Sequence, residues 1–103
     1  VSVQNRYSMD YRSSEDVLAH CEKLGIAFLP WYPLGDGSAL KLSRVRKIAE
    51  KSKATPAQVA IAWLLAKSPV MVPIPGTSSI AHLEENAAAA KLKLSKEDLA
   101  ALA

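Results

Sequence analysis

The apolar positions along the chain predict three strands, each followed by helical segments. Residues 1–8 begin with alternating apolar and polar positions and end in polar groups, as a strand running into a loop does. Residues 26–29 and 70–74 are continuous apolar runs, the pattern of strands buried on both faces. Prolines at 30 and 75 follow or close these runs. Because proline has no N–H to donate, we expect ladder pairing to end at Pro30 and Pro75.

Helical spacing of apolar residues, with capping signals, predicts five helices between and after these runs. We expect the first to begin within Ser13–Asp16, which reads S-x-x-D, and to end at Gly25 with Val17, Leu18, Cys21 and Leu24 on one face. The second should span about 41–51 with Leu42, Val45, Ile48 and Ala49 inward.

The remaining helices carry clearer start signals. Thr55 can cap a helix that has Pro56 at its first position and Gln58 completing a capping box, and its apolar residues continue nearly all round to about residue 67. Ser79 can cap a helix over about 80–90, and the S-x-x-D signal at Ser95 starts a last short one.

Strands that alternate with helices across short turns predict an α/β fold with parallel strands and crossover helices. An apolar parallel sheet of three strands would leave two open edges, which is unfavourable for an isolated domain. The chain also opens inside a strand pattern, and residues 95–103 resemble an unfinished helix. We therefore expect residues 1–103 to be one partial domain, completed by a missing N-terminal half or a partner chain.

Composition narrows the function classes. Half of the residues are apolar and 22% are charged, which is ordinary for a globular protein. The net charge of +3 is spread along the chain, so we expect a solvated surface and no nucleic acid partner. A single cysteine, Cys21, indicates a reducing, cytoplasmic setting. No apolar run approaches the roughly 20 residues of a membrane span, so we expect no membrane partner.

Two other site types are disfavoured. Residues 42–67 superficially resemble a helix-turn-helix, but after Gln58 the second helix is almost entirely apolar, unlike a recognition helix. His20 and His82 lie far apart, with no Cys or carboxylate at ligand spacing, so we expect no metal site.

In parallel α/β folds, function gathers in the loops after the strands. Gly76 and the hydroxyl residues Thr77–Ser79 precede a helix, where free N–H groups and the helix dipole favour an anion such as phosphate. A plain capped turn would use the same residues. Trp31 and Tyr32 could stack on a ligand or cover the core. Gln4 could bind a carboxamide or neighbouring backbone.

Four segments in order, VSVQNRYS, GIAFLPWYPLG, ATPAQVAIAWLLAKSP and VPIPGTSSIAHLEEN, resemble the C-terminal part of aldo-keto reductases of bacterial type. The resemblance covers essentially the whole chain. It implies the last three β/α units of a (β/α)₈ TIM barrel, and an NADP(H)-dependent oxidoreductase that reduces small aldehydes or ketones to alcohols. NAD(H) is a possible alternative cofactor.

The resemblance also implies cofactor-binding positions. Gln4 matches the residue that contacts the nicotinamide carboxamide, and Trp31 matches the aromatic residue that stacks on its ring. Tyr32, Leu34 and Gly35 match the segment that lines the pyrophosphate. Gly76, Thr77 and Ser78 match the loop that binds the 2′-phosphate, and Glu85 and Asn86 match the pair that holds adenine.

Two departures bear on these expectations. Many family members have lysine at the position of Gly76 and arginine at that of His82, both pairing with the 2′-phosphate. With His82 we expect weaker discrimination of NADPH over NADH than in relatives with arginine, and NADPH affinity that rises below pH about 6.5 as histidine protonates.

The family's catalytic tyrosine, lysine, aspartate and histidine lie on earlier strands, so we assign no catalytic residue, and the isolated chain should be inactive. The alternative is a non-catalytic nucleotide-binding or interaction module completed by a partner.

Overall fold

Two parallel strands form the sheet of the computed structural model, which describes residues 2–9, 11–31, 33–34, 40–76 and 79–102. Strand β1 (Ser2–Arg6) pairs with β2 (Ala27–Trp31), and helix α1 (Glu15–Leu24) is the crossover between them. The other helices are α2 (Ser43–Ser52), α3 (Pro56–Lys67), α4 (Ile80–Ala88) and α5 (Lys96–Leu102), with one 3₁₀ turn (Ala89–Lys91) after α4. The predicted parallel α/β arrangement with crossover helices is confirmed.

Strand β2 runs through Pro30, where we expected pairing to stop. The N–H of Phe28 donates to Val70 at 2.9 Å and its carbonyl accepts from Val72 at 2.8 Å, so these groups face away from β1. Since backbone groups alternate sides along a strand, the N–H that Pro30 lacks would also face away from β1. Pairing with β1 therefore continues to Trp31.

The same strand is buried on one face only, which corrects the expectation of burial on both. Phe28 and Pro30 are buried, Leu29 is half-buried, and Trp31 is 39% exposed. The helices cover the face that carries Phe28, whereas the opposite face has partial cover among the described residues.

The third apolar run, residues 70–74, makes a single parallel bridge between Met71 and Phe28 and is not a strand. Pro73 within the run and Pro75 directly after it have no N–H to donate, and Val72 and Ile74 are 46% and 39% exposed. The prediction of a strand here was wrong because apolar residues alone do not provide the ladder donors that a strand needs.

Helix ends follow the capping signals in all but one case. Gln58 N–H donates to Thr55 Oγ1 at 3.2 Å and Thr55 N–H donates to Gln58 Oε1 at 3.1 Å, which completes the predicted box. Ser95 and Asp98 exchange the same pair of bonds at 3.0 and 3.3 Å. Gly25 ends α1 in the left-handed region, with φ of 69°.

The start of α1 differs from the prediction. Ser14, not Ser13, precedes the helix, and its hydroxyl makes no capping bond because its backbone is not extended (φ −100°, ψ 21°). That hydroxyl instead accepts from Asn5 Nδ2 at 3.4 Å. Leu24, expected on the buried face, is 57% exposed, whereas Leu18 and Cys21 are buried as predicted.

The core is centred on Tyr7, α3 and β2. The Tyr7 ring stacks on Trp63 with centroids 6.1 Å apart and meets Phe28 edge-on at 5.9 Å. Six consecutive residues of α3, Val59–Leu64, are buried, as its all-round apolar pattern predicts. No helix in the described part of the chain is long and apolar enough to cross a membrane.

Candidate functional site

A cavity of about 570 Å³ lies between the start of α2, the start of α3 and the first turns of α4. Its lining residues are Leu34, Leu40, Lys41, Arg46, Thr55, Pro56, Ala57, Gly76, His82, Glu85 and Asn86. Ligand pockets commonly have volumes of roughly 300–1,000 Å³, so the cavity is large enough for part of a nucleotide.

One wall of the cavity is cationic. Lys41 and Arg46 both line it and both are exposed. The amphipathic pattern of α2 explains the position of Arg46, since Val45 and Ile48 face the core and their neighbour Arg46 points elsewhere. Within the described ranges neither cation forms an ion pair or side-chain hydrogen bond. Among the described residues, therefore, no side chain competes with a ligand for these two charges.

Another part of the cavity lining is held by a contact between α3 and α4. Thr55 Oγ1 donates to Glu85 Oε1 at 2.7 Å while also accepting the N–H of Gln58. Gln58 Nε2 in turn donates to the Glu85 carbonyl at 3.0 Å. Glu85 and Asn86 are half-buried on this wall. These bonds fix the start of α3 against the middle of α4 and hold the Glu85 carboxylate in place.

The third side is the N-terminus of α4. Ser79 Oγ accepts the N–H of His82 at 3.3 Å, so the predicted cap is present. His82 is exposed in the first turn. Gly76 also borders the cavity, and a Cβ built there would meet no atom within 4 Å. The dipole of α4 adds to the positive potential at this rim.

The cavity brings together five of the residues that the sequence singled out: Leu34, Gly76, His82, Glu85 and Asn86. Four others, Tyr32, Gly35, Thr77 and Ser78, lie outside the described residues. Gln4 and Trp31 do not line the cavity. They lie on the half-covered face of the sheet, where the register sets Gln4 beside Leu29 and Arg6 beside Trp31.

Sequence reasoning missed three polar residues of the cavity: Lys41, Arg46 and Thr55. Thr55 was recognised only as a cap, because a contact with a residue 30 positions later leaves no local signal. By sequence, Lys41 before α2 and Arg46 on α2 resemble ordinary surface charges. Only the packing of α2 and α4 against α3 shows which of the cations border a cavity.

The protein-family model described as "Aldo/keto reductase family" matches residues 1–103. Among curated relatives, pyridoxine 4-dehydrogenase of Escherichia coli is 50% identical over 99% of this chain and 36% of its own length. An uncharacterized oxidoreductase of Schizosaccharomyces pombe is 49% identical over 99% of this chain and 34% of its own length. The chain thus spans about a third of the length of these relatives.

Solved structures agree in fold. An aldo-keto reductase from Klebsiella pneumoniae, in complex with NADPH, superposes with a TM-score of 0.91 at 30% identity, over 99% of this chain and 38% of its own. A variant of Gox0644 in complex with NADPH gives 0.88 at 33% identity, over 99% and 36%. The strands and helices match part of a TIM barrel. With the family match across its whole length and half of its residues identical to a curated relative, the chain belongs to the aldo/keto reductase family.

Proposed function

We propose that the protein carrying this chain is an NADP(H)-dependent oxidoreductase that reduces aldehydes or ketones to alcohols. The chain would form the last three β/α units of the barrel and contribute cofactor-binding elements. The observation that carries this proposal is the cavity that Lys41 and Arg46 line together with residues from the first turns of α4. Two solved relatives that match nearly the whole chain are bound to NADPH.

The cavity fits the adenosine end of the cofactor. Its cationic wall and the dipole of α4 favour phosphate groups. Glu85 and Asn86 offer an acceptor and an amide that suit the adenine edge, and Leu34 supplies an apolar side. Thr77 and Ser78 would add hydroxyl and N–H donors to the 2′-phosphate, and Tyr32 and Gly35 would line the pyrophosphate.

The nicotinamide end would lie on the half-covered face of the sheet. Trp31 is exposed at the end of β2 and presents a ring on which nicotinamide can stack. Gln4 is exposed on the adjacent strand and carries an amide that can pair with the carboxamide. When bound, NADPH supplies a hydride to the carbonyl carbon, and the role of these two residues is to orient it.

We assign no catalytic residue within the chain. Tyr7, the only fully buried tyrosine among the described residues, donates its hydroxyl to Glu15 at 2.6 Å within the core. It is therefore not placed to protonate an alkoxide. In this proposal the proton donor belongs to the other two thirds of the family's fold, which the relatives contain.

Fluorescence titration of the whole protein with NADPH tests the proposal. Trp31 is 39% exposed and Trp63 is 4% exposed, so stacking on Trp31 should quench a distinct part of the emission. A Trp31→Phe variant should lose this quenching. Calorimetry should show that the variant still binds NADPH, but more weakly than the wild type. Saturation by NADPH, together with carbonyl-dependent NADPH oxidation across a panel of aldehydes and ketones, is the expected result. Absence of binding by both methods would overturn it.

A further inference from the structure

We infer that Arg46, assisted by Lys41, supplies the permanent positive charge that holds the 2′-phosphate of NADPH, so that cofactor preference is set from α2. This inference rests on the proposed function, since it assumes that the cavity holds the adenosine end of the cofactor. It concerns a residue whose role has no local signal in the sequence.

The charges around the cavity carry the argument. Lys41 and Arg46 are the permanent cations among its lining residues. The α4 side presents Glu85, which is an acid, and His82, which has no guanidinium or ammonium group. A 2′-phosphate bound between these walls would meet its strongest electrostatic partner on the α2 side.

The position of Arg46 within α2 supports the same conclusion. Arg44 and Arg46 both lie near the helix start, and the first turn has no acidic residue. Cations are unfavourable at this positive end of a helix unless an anion lies nearby. A phosphate in the cavity would relieve this repulsion for Arg46, which lines the cavity, but not for Arg44, which does not.

The position and shape of the Arg46 side chain also suit it to bind a phosphate. Its backbone is anchored because Val45, Ile48 and Ala49 of the same helix are buried. Its side chain is exposed at the cavity and makes no ion pair within the described ranges. A guanidinium can bind two phosphate oxygens at once, which a lysine cannot do. Lys41 can contribute a second, single-point charge.

The decisive experiment compares Arg46→Ala with Arg44→Ala in the whole protein. The two arginines are both exposed on α2, but only Arg46 borders the cavity. Calorimetry with NADPH and NADH gives dissociation constants for each. Loss of a charged hydrogen-bond partner should weaken NADPH binding by about 10-fold or more, while NADH binding stays within about twofold. Arg46→Lys should fall between, and Arg44→Ala should resemble the wild type.

Two smaller ligands isolate the contribution of the 2′-phosphate. Adenosine 2′,5′-bisphosphate should bind the wild type more tightly than adenosine 5′-monophosphate, and Arg46→Ala should remove most of that difference. An unchanged difference, or equal weakening of NADPH and NADH, would overturn the role of Arg46 while leaving NADPH binding intact. If the wild type binds neither dinucleotide, the proposed function itself fails, and the inference with it.

Discussion

Thr55, the N-cap residue of α3, donates a hydrogen bond of 2.7 Å to the carboxylate of Glu85, which lines the cavity from α4. Thr55 therefore acts twice: its oxygen accepts the N–H of Gln58 to begin α3, and its hydroxyl proton orients Glu85 on α4. In the proposed site, Thr55 is a positioning residue for the group that holds adenine.

Valine has nearly the shape of threonine but no hydroxyl group, so Thr55→Val removes both hydrogen bonds without creating a cavity. Loss of the cap should destabilise the protein by about 1 kcal/mol. The freed Glu85 carboxylate should weaken NADPH and adenosine 5′-monophosphate binding to a similar extent, because both carry adenine. Thr55→Ser keeps the hydroxyl and should restore both properties. Equal binding by Thr55→Val and wild type would contradict the positioning role.

Replacing His82 with arginine should tighten NADPH binding and leave NADH binding unchanged. His82 is exposed at the first turn of α4 and faces a cavity that also contains Glu85, Arg46 and Lys41. An arginine at this position can bind two oxygens of the 2′-phosphate at once, whereas NADH lacks that phosphate. Calorimetry with NADPH and NADH checks both expectations, and equal NADPH affinity in His82→Arg and the wild type would count against a role for this position.

Asp98 should make the protein sensitive to acid through its contact with α2. Its carboxylate accepts from Lys51 Nζ at 2.7 Å, and this bond, followed by those to Ser95, lowers the pKa of Asp98. A lowered pKa contributes stability above about pH 3.9, the unfolded value, and that contribution is lost as the pH falls toward the folded value.

The check is urea unfolding of the wild type and Asp98→Asn from pH 7 to 3. The difference in unfolding free energy should be largest at neutral pH and shrink as acid protonates Asp98. Glu97→Gln, a neighbouring exposed position, should show little difference. A gap between wild type and Asp98→Asn that stays constant down to pH 3 would show that the carboxylate charge is not the cause.

Tyr7→Phe tests the link between the core and α1. Burial, then the hydrogen bond to Glu15, raise the pKa of Tyr7 above its usual range. The Glu15 side chain is 45% exposed, so losing the bond should cost about 1 kcal/mol rather than the larger value of a buried charged pair. Tyr11→Phe, at a 36% exposed position, is the matched control and should be nearly neutral.

The same pKa shift predicts a pH effect with the opposite sign to that of Asp98. A tyrosine whose pKa is raised on folding contributes stability that is fully present below about pH 10, the unfolded value, and is lost as the pH rises above it towards the folded value. From about pH 9.5 to about 11.5 the wild type should therefore lose more stability than Tyr7→Phe. Parallel losses in the two proteins would contradict the buried, bonded phenol.

Local chemistry made much of this fold predictable. The Thr55–Gln58 and Ser95–Asp98 boxes, the left-handed Gly25 and the helical spacing of Val45, Ile48 and Ala49 depend on residues a few positions apart, so periodicity and capping rules apply directly. The parallel pairing of β1 with β2 followed from the crossover length that α1 provides.

Tertiary structure decided what depends on distant partners. Whether residues 70–74 form a strand depends on donors and on a second neighbour, and apolar composition predicts neither. Pairing continues through Pro30 because its missing N–H faces away from β1, which only the register reveals. The cavity that unites Arg46, Thr55 and Glu85 arises where three helices meet. By itself, then, the sequence determined the helices, all but one of the predicted caps and the family, because those signals are local or are shared with relatives. Tertiary packing decided which charged residues line the same cavity.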